Sequence, residues 1–301
     1  MKRLMILLCA SFGFLHGLNG WAALNIFACE PEWAALAREI AGDKASVFSA
    51  ISAMQDAHHI EARPSLMART RSADLVICSG AELEVGWLPL LLTQSGNRRI
   101  QPGSPGHLEA ALQVPRLEIP KSVDRALGDI HPAGNPHVHT DPRNIARVAE
   151  VLIERLAQLD SPSAAQYRAR GKSFLDRWRE AIRRWQQQAA SLKGATVVVY
   201  HKDFSYLEAW LGLVEVGALE PKPGIPPTPA HLAELVTQMQ RSPAKAIIYS
   251  AYEDSRPADF LTQRSRVPAV MLPFTVGGTD QAKDLFGLFD DTIARLLEAM
   301  K

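Results

Sequence analysis

The sequence lacks an excess of charge of either sign. Its 301 residues contain 33 lysines and arginines against 32 aspartates and glutamates, so the formal net charge is +1. Nucleic-acid-binding domains usually carry a basic excess, and this balance argues against a nucleic-acid partner. Hydrophobic residues make up 47% of the chain and charged residues 22%, an ordinary composition for a protein long enough to build two packed lobes.

Cysteine is scarce, and no pair has the C-x-x-C spacing of a metal or redox motif. Cys9 lies in the N-terminal apolar run, which leaves Cys29 and Cys78, each at the end of a predicted strand. Neighbouring parallel strands could bring these ends together, and an isolated pair in an oxidising compartment is a disulfide candidate. Two buried thiols are the alternative, because a sequence does not give the distance between the Cα atoms.

The N-terminal apolar run is too short to cross a bilayer, which requires roughly 20 apolar residues. It occupies residues 4–15, follows Lys2 and Arg3, and leads to small residues that include Ala22 and Ala23. A basic start, an apolar centre and a small-residue end are the three parts of a secretory signal peptide. We therefore predict that residues 1–23 direct export and are cleaved near Ala22 or Ala23.

Strand and helix patterns alternate along most of the remaining chain. Short apolar runs at residues 24–29, 74–78, 196–200 and 246–250 are each followed by a helical pattern, which predicts an α/β fold with mainly parallel sheets. Residues 101–136 differ, because they are rich in Gly, Pro and Ser with weak periodicity. A segment of this kind is usually a long loop or a lid.

One long amphipathic pattern, residues 162–193, separates the two alternating parts. Its apolar residues recur at steps of three, four or seven, and Gly194 is placed to end it. A helix of this length spans roughly 48 Å, which is enough to join two lobes. We therefore divide the chain into the signal peptide 1–23, an N-terminal α/β lobe 24–160, a linking helix 161–193 and a C-terminal α/β lobe 194–301.

Three of the nine histidines stand where the backbone would hold a ligand firmly. His58 lies in a strand-to-helix loop, His137 precedes a helix that Asp141 can cap, and His201 ends a strand. Functional residues of parallel α/β sheets gather beyond the strand ends, and imidazole is the commonest metal ligand. Because these histidines lie on both sides of the long helix, any site that they share must form between the lobes.

The residues around the three histidines resemble a known family, the cluster A-I metal-binding proteins of ATP-driven zinc and manganese importers. The resemblance covers nearly the whole mature chain and implies two lobes, each a mainly parallel four-stranded sheet flanked by helices, joined by one long rigid helix. The metal lies in the cleft between the lobes of such proteins. Three motifs carry the resemblance: Asp56-Ala57-His58 with Glu61, Asn135-Pro136-His137 with Asp141 and Asn144, and His201 with Phe204 and Tyr206.

Position by position, the resemblance implies one Zn²⁺ per chain, with His58, His137, His201 and Asp280 as its ligands. Three neutral imidazoles and one carboxylate can close a tetrahedron around zinc. Manganese-type members tend to carry a carboxylate in place of the third histidine, so His201 favours zinc. The alternative role for Asp280 is to cap the terminal helix.

The sequence departs from the family pattern in several places. His139 stands where an aromatic residue is common, and both His59 and His139 could support the ligands, bind the metal transiently or lie outside its coordination. Glu61 could orient a histidine ring or be a solvated charge. The long His- and acid-rich loop of many zinc members is missing, since only His131 lies in the corresponding stretch.

The expected function is that of a periplasmic zinc-binding protein, not an enzyme, which delivers Zn²⁺ to the membrane permease of an ABC importer. We expect a monomer, and a periplasmic metallochaperone is a further partner that it could have. One alternative is a manganese or iron carrier of the same family. Another is a secreted zinc hydrolase with an open three-histidine site, in which water is the fourth ligand and Asp280 or Glu61 is the base. The sequence has no H-E-x-x-H motif.

Overall fold

The computed structural model describes residues 23–122, 128 and 130–301. The predicted signal peptide lies outside these residues except for Ala23. The described chain builds two four-stranded sheets in which every strand pair is parallel. The first sheet has the order β2-β1-β3-β4, with β1 (Leu24–Ala28), β2 (Ala45–Ser49), β3 (Leu75–Cys78) and β4 (His107–Glu109). The second has the order β6-β5-β7-β8, with β5 (Thr196–Val199), β6 (Val214–Ala218), β7 (Ala246–Ser250) and β8 (Ala269–Leu272).

Helices flank both sheets, which confirms the predicted α/β architecture. Several of these helices begin with a proline, whose fixed φ and missing N–H suit the first turn. The helices are α1 (Pro31–Ala41), α2 (Pro64–Ser72), α3 (Leu88–Ser95), α4 (Pro142–Leu159), α5 (Ala164–Gln188), α6 (Ser205–Leu211), α7 (Pro229–Arg241), α8 (Arg256–Ser265) and α9 (Leu285–Ala299). As predicted, Asp141 caps α4, because its carboxylate accepts a hydrogen bond from the backbone N–H of Arg143.

The long linking helix is present, but its ends are wound more tightly than the prediction of a single α-helix over 162–193. The α-helical part, α5, is preceded by the 3₁₀ turn Ser161–Ser163 and followed by the 3₁₀ turn Ala189–Leu192. Shorter i to i+3 bonds are a common way to satisfy the free backbone groups at helix ends. The helical unit therefore has the predicted extent with a different geometry at each end.

Aromatic packing holds this helix against both parts of the molecule. Trp178 and Trp185 are fully buried on α5 and contact Phe286 and Phe289 of α9. On the other side, the indole N–H of Trp178 donates to the carbonyl of Pro142 at the start of α4, 2.7 Å away. The same hydrophobic core includes residues of both sheets. The two lobes are therefore packed against one shared core.

A disulfide joins Cys29 and Cys78, with 4.8 Å between the Cα atoms. Cys29 directly follows β1, Cys78 ends β3, and these strands are parallel neighbours. Both residues are fully buried. The disulfide that the sequence left open is therefore present, because the two cysteines lie at the ends of adjacent parallel strands.

The irregular segment 101–136 contains a strand and a 3₁₀ turn, Ala110–Gln113, that the sequence did not reveal. Residues His107–Glu109 form β4, which pairs with β3 at the edge of the first sheet. A strand of three residues is too short to show a period in the sequence. Among the residues that the structure describes, none of the helices has the length and apolar character that crossing a membrane requires.

The close contact of α4 with α5 depends on Gly171. A Cβ at this position would lie 2.2 Å from Cδ1 of Ile153, so Gly171→Ala is expected to destabilise the fold by about 1–3 kcal/mol through overpacking. In an open helix, the same change would stabilise by up to about 1 kcal/mol. The free energy of unfolding, measured by urea denaturation, tests the sign.

The matched control is the same substitution in an Ile153→Ala background, where the obstructing side chain is gone. The clash predicts that Gly171→Ala costs much less there than in the wild type. Equal costs in the two backgrounds would contradict the packing argument, because independent sites give additive changes.

Candidate metal centre

The fold brings His58, His137 and His201 together. One ligand atom from each lies within 4.8 Å of those of the other two. The ring centroids form a nearly equilateral triangle, with sides of 5.5 Å for His58–His137, 5.6 Å for His58–His201 and 5.7 Å for His137–His201. The three imidazoles can therefore share one small cation, and their planes are nearly perpendicular to one another, at 69° to 80°.

Short turns position two of these histidines. The backbone N–H of His58 donates to Oδ1 of Asp56 over 2.9 Å, and that of His137 donates to Oδ1 of Asn135 over 2.9 Å. An Asp or Asn side chain that binds the backbone two residues later forms a tight local turn. His201 is positioned differently, since it follows the buried strand β5. Rigid backbone of this kind is what a precise ligand site requires.

Two carboxylates orient the rings. Oδ1 of Asp56 lies 2.7 Å from Nδ1 of His58, and Oε2 of Glu220 lies 2.7 Å from Nδ1 of His201. Metal-binding histidines commonly donate one ring N–H to a carboxylate, which fixes the tautomer and leaves the other nitrogen free for the metal. The pairs leave Nε2 of His58 and of His201 for a metal. No sequence pattern pointed to Glu220, which lies 19 residues beyond its partner.

His137 carries the clearest sign that a cation belongs here. Its side chain is buried, and neither ring nitrogen has a hydrogen-bond partner among the described residues. A buried polar group without a partner is unfavourable and rare. Burial and the neighbouring histidines lower the pKa of His137 well below its usual value, so the ring is neutral. A neutral imidazole with a free nitrogen is what a metal ligand must be.

Asp203 was missed by the sequence reasoning. Its carboxylate is buried, with Oδ1 3.5 Å from Nε2 of His137, and it accepts hydrogen bonds from the hydroxyls of Ser250 and Tyr252. Burial raises the pKa of Asp203, while the charge of His201 and the two hydroxyl donors act in the opposite direction. Its position beside two of the imidazoles could offset part of a cation's charge.

His131 lies beside the centre, and no ligand role was predicted for it from the sequence. Its Nε2 lies 3.2 Å from Nε2 of His58, and its ring centroid is 6.4 Å from that of His137. Burial lowers the pKa of His131 to about 4, and the electrostatic effect of the neighbouring His58 and His201 rings acts in the same direction. This ring is therefore neutral under physiological conditions.

The structure does not bring Asp280 to the three imidazoles. Asp280 is exposed and lies outside the group of ligand atoms described above. It also does not cap α9, because Asp284 does so by accepting from the backbone N–H of Gly287. Gly277, with φ of +92°, belongs to the turn that leads this segment away from β8.

The remaining candidates lie around the centre. His59 is 68% exposed and binds Oδ2 of Asp56 through Nδ1, so one carboxylate holds two neighbouring histidines. His139 is buried, with Nε2 2.9 Å from the carbonyl of Phe274 and Nδ1 3.2 Å from Oε1 of Glu32. Its ring therefore lies between α1 and the segment after β8. Glu61 is exposed.

Comparisons with known proteins support a metal-transport family. The family described as ZnuA, zinc-uptake complex component A periplasmic, matches residues 26–299. The chain is 22% identical to the manganese ABC transporter substrate-binding lipoprotein PsaA of Streptococcus mitis, over 94% of this chain and 90% of that protein. It is 21% identical to the zinc-binding lipoprotein AdcA of Streptococcus pneumoniae, over 78% of this chain but only 46% of that longer protein. The crystal structure of a ZnuA shares the fold, with a TM-score of 0.74 and 19% identity over 91% of this chain and 99% of that one.

Metal binding at this centre is expected to release a proton from His201. Burial lowers the pKa of this ring, but the hydrogen bond to Glu220 and the charges of Asp203, Glu220 and Asp56 outweigh it and raise the pKa to about 9. His201 is thus protonated at pH 7 without metal and must lose that proton to bind one. About one proton should be released per zinc ion at pH 7, and the release should vanish as the pH rises through 9.

Calorimetric titration in buffers of different ionisation enthalpy measures this release. Glu220→Gln should reduce it, since the main partner that favours the charged ring is lost, and should weaken zinc about 10–100-fold. Glu215→Gln is the control, because Glu215 pairs with Lys202. Zinc binding without proton release in the wild type at pH 7 would contradict the assignment.

Proposed function

The chain belongs to the zinc-uptake complex component A (ZnuA) family, and on that premise we propose that it captures one Zn²⁺ in the cleft between its lobes and delivers it to the permease of an ABC importer. Members of this family are periplasmic metal-binding components of such importers, not enzymes. The observation that carries the choice of metal is the convergence of three imidazoles, two of them oriented by carboxylates.

The chemistry of the ligands supports zinc over manganese. Manganese prefers oxygen ligands, whereas imidazole suits zinc, and raw affinity also follows the order Mn²⁺ below Zn²⁺. Relatives carry both names, since AdcA is called a zinc-binding and PsaA a manganese transport lipoprotein. The nitrogen-rich centre is therefore the argument for zinc, and the relatives do not decide between the metals.

The surroundings suit capture of a cation. A cavity of about 240 Å³ has His58 and His201 in its lining together with Asp56, Glu220 and Glu253. The carboxylates of Asp56 and Glu220 in this lining attract a cation and speed its association. We propose this acidic cavity as the route by which the metal reaches the imidazoles.

Release of the metal is not expected to require a wide hinge opening between the two lobes. The linking helix α5 is packed by its tryptophans into a core that both sheets share, so a large rotation of one lobe against the other would expose much apolar surface. We propose instead that docking on the permease withdraws one or more ligands. This requires only local movement of loops at the cleft.

The proposal includes export and a simple quaternary state. Residues 1–23 are the proposed signal peptide, with cleavage near Ala22 or Ala23, and the disulfide of Cys29 and Cys78 fits an oxidising compartment. One chain supplies all three histidines, so we propose that a monomer is sufficient to bind the metal. Loading by a periplasmic metallochaperone stays a prediction.

A zinc titration of metal-stripped mature protein against a competing chelator tests the function. The wild type should bind one tight equivalent. His58→Ala, His137→Ala and His201→Ala should each weaken it by about 100-fold or more, because each removes a direct ligand, a larger change than the 10–100-fold expected for a supporting partner. A wild type that binds manganese more tightly than zinc would reject zinc as the cargo.

Two controls separate ligands from neighbours. His231→Ala removes an imidazole that binds only the carbonyl of Ala218 in the described contacts, on α7 away from the centre. Asp280→Ala removes the exposed carboxylate that the family resemblance implies as a ligand. Both variants should bind zinc like the wild type. A strong loss in Asp280→Ala would show that this segment moves to the metal when it binds.

A further inference from the structure

Three histidines supply three ligands at this centre. The segment that leads to His137 contains a side chain that could supply the fourth. Three nitrogens leave one corner of a tetrahedron free. Asp280 is exposed, and Asp203 already accepts hydrogen bonds from two hydroxyls. Among the described residues, His131 is a further candidate, because its Nε2 contacts Nε2 of His58, which is one of the ligand atoms of the centre.

The distance between these two nitrogens matches shared coordination. Zn–N bonds of about 2.0–2.1 Å place neighbouring nitrogens of a tetrahedral site about 3.3–3.4 Å apart. The Nε2 atoms of His58 and His131 are 3.2 Å apart. Since Asp56 binds Nδ1 of His58, its Nε2 is the nitrogen available to a metal. Among the described residues, the ligand atoms that lie within 4.8 Å of one another come from His58, His137 and His201, so His131 must move towards the other two rings to share a metal with all three.

His131 is also held in place by its own segment. We call residues 115–122 and 130–136 the strap. The backbone N–H of Gly134 donates to the carbonyl of His131 over 2.9 Å, which closes a turn. Gly134 has φ of +99°, and a Cβ there would lie 2.9 Å from the carbonyl oxygen of Leu117, so only glycine fits the turn without strain.

Contacts with the C-terminal lobe anchor the strap. The backbone N–H of Leu117 donates to the hydroxyl of Tyr206, which in turn donates to the carbonyl of Asn135. The amide of Asn135 donates to Oε2 of Glu118 and to the carbonyl of Lys202, each over 2.8 Å. The strap therefore crosses from the first lobe to the second directly beside the three imidazoles.

We propose that His131 is the fourth zinc ligand and that the loaded site holds the metal through four histidine nitrogens. This rests on the proposed function, because it assumes that the three other histidines bind the metal. Four neutral imidazoles leave no oxygen from the protein in the coordination sphere, which favours zinc over manganese. The metal then links the strap to both lobes, and lifting the strap removes one ligand without rotating a lobe.

Cobalt spectroscopy tests the ligand directly, with Co²⁺ alone as the probe in place of zinc. The wild type should give the visible bands of a four-coordinate tetrahedral ion. In His131→Gln the polar side chain can keep a hydrogen bond to His58 but supplies no imidazole, so the bands should weaken or shift and the zinc Kd should rise about 10–100-fold. His231→Ala, which removes an imidazole on α7 that contacts the carbonyl of Ala218, should change neither.

A second variant gives a positive signal. His131→Cys places a thiolate, another good zinc and cobalt ligand, at the same position. The variant should restore tetrahedral bands and add a sulfur-to-cobalt charge-transfer band in the near ultraviolet. Circular dichroism of each metal-free variant shows whether the fold is intact.

The outcomes separate this proposal from the function that it assumes. If the wild type binds neither zinc nor cobalt tightly, the carrier function itself fails. If the wild type binds and His201→Ala does not, while His131→Gln keeps the wild-type bands and affinity, the carrier function stands and His131 is not a ligand. Loss of the bands in His131→Gln together with a sulfur band in His131→Cys supports the fourth ligand.

Discussion

The packing of the linking helix is the constraint on which the metal centre depends. His58 and His137 come from the part of the chain before α5, and His201 comes from the part after it. Their ring centroids agree in spacing to within 0.2 Å across this division, from 5.5 to 5.7 Å. A ligand site tolerates errors of only about 0.5 Å. The buried contacts of Trp178 and Trp185 with α9 therefore support the geometry of the site, although they lie away from it.

The electrostatics of the three histidine rings favour a cation at this centre. Burial, together with the neighbouring histidine rings, lowers the pKa of His137, while the carboxylates Glu220, Asp203 and Asp56 raise the pKa of His201 to about 9. One ring is thus kept neutral and its neighbour kept charged, and the nitrogens of His137 lack partners among the described residues. A divalent cation satisfies both conditions, because it binds the free nitrogens and takes the place of the proton. Its charge is matched by carboxylates that are already present.

The sequence predicted the features that leave a local pattern. It missed the side-chain contacts between residues that are far apart in the chain. Alternating strands and helices, the long helix and the three histidines were predictable, because each leaves a period or a short motif. The disulfide was open and is now explained by neighbouring strands. Glu220 and Asp203 were missed, since their roles arise only when the second sheet brings strand ends together. Asp280 was inferred from resemblance, and the turn after β8 leaves it exposed.

Under the proposed function, the strap explains how the protein could take up one metal selectively and still release it. A rigid pair of lobes sets the spacing of three nitrogens and favours a small, tetrahedral ion, but rigidity alone would also make such an ion slow to leave. A ligand on a loop solves this conflict, because the loop can move while the core stays packed. The anchors of the strap are a few hydrogen bonds to Tyr206, Ser205 and Lys202, each contributing about 0.5–1.5 kcal/mol. Under the proposed function, these bonds are weak enough for a docking partner to break, and together they hold His131 beside His58 until then.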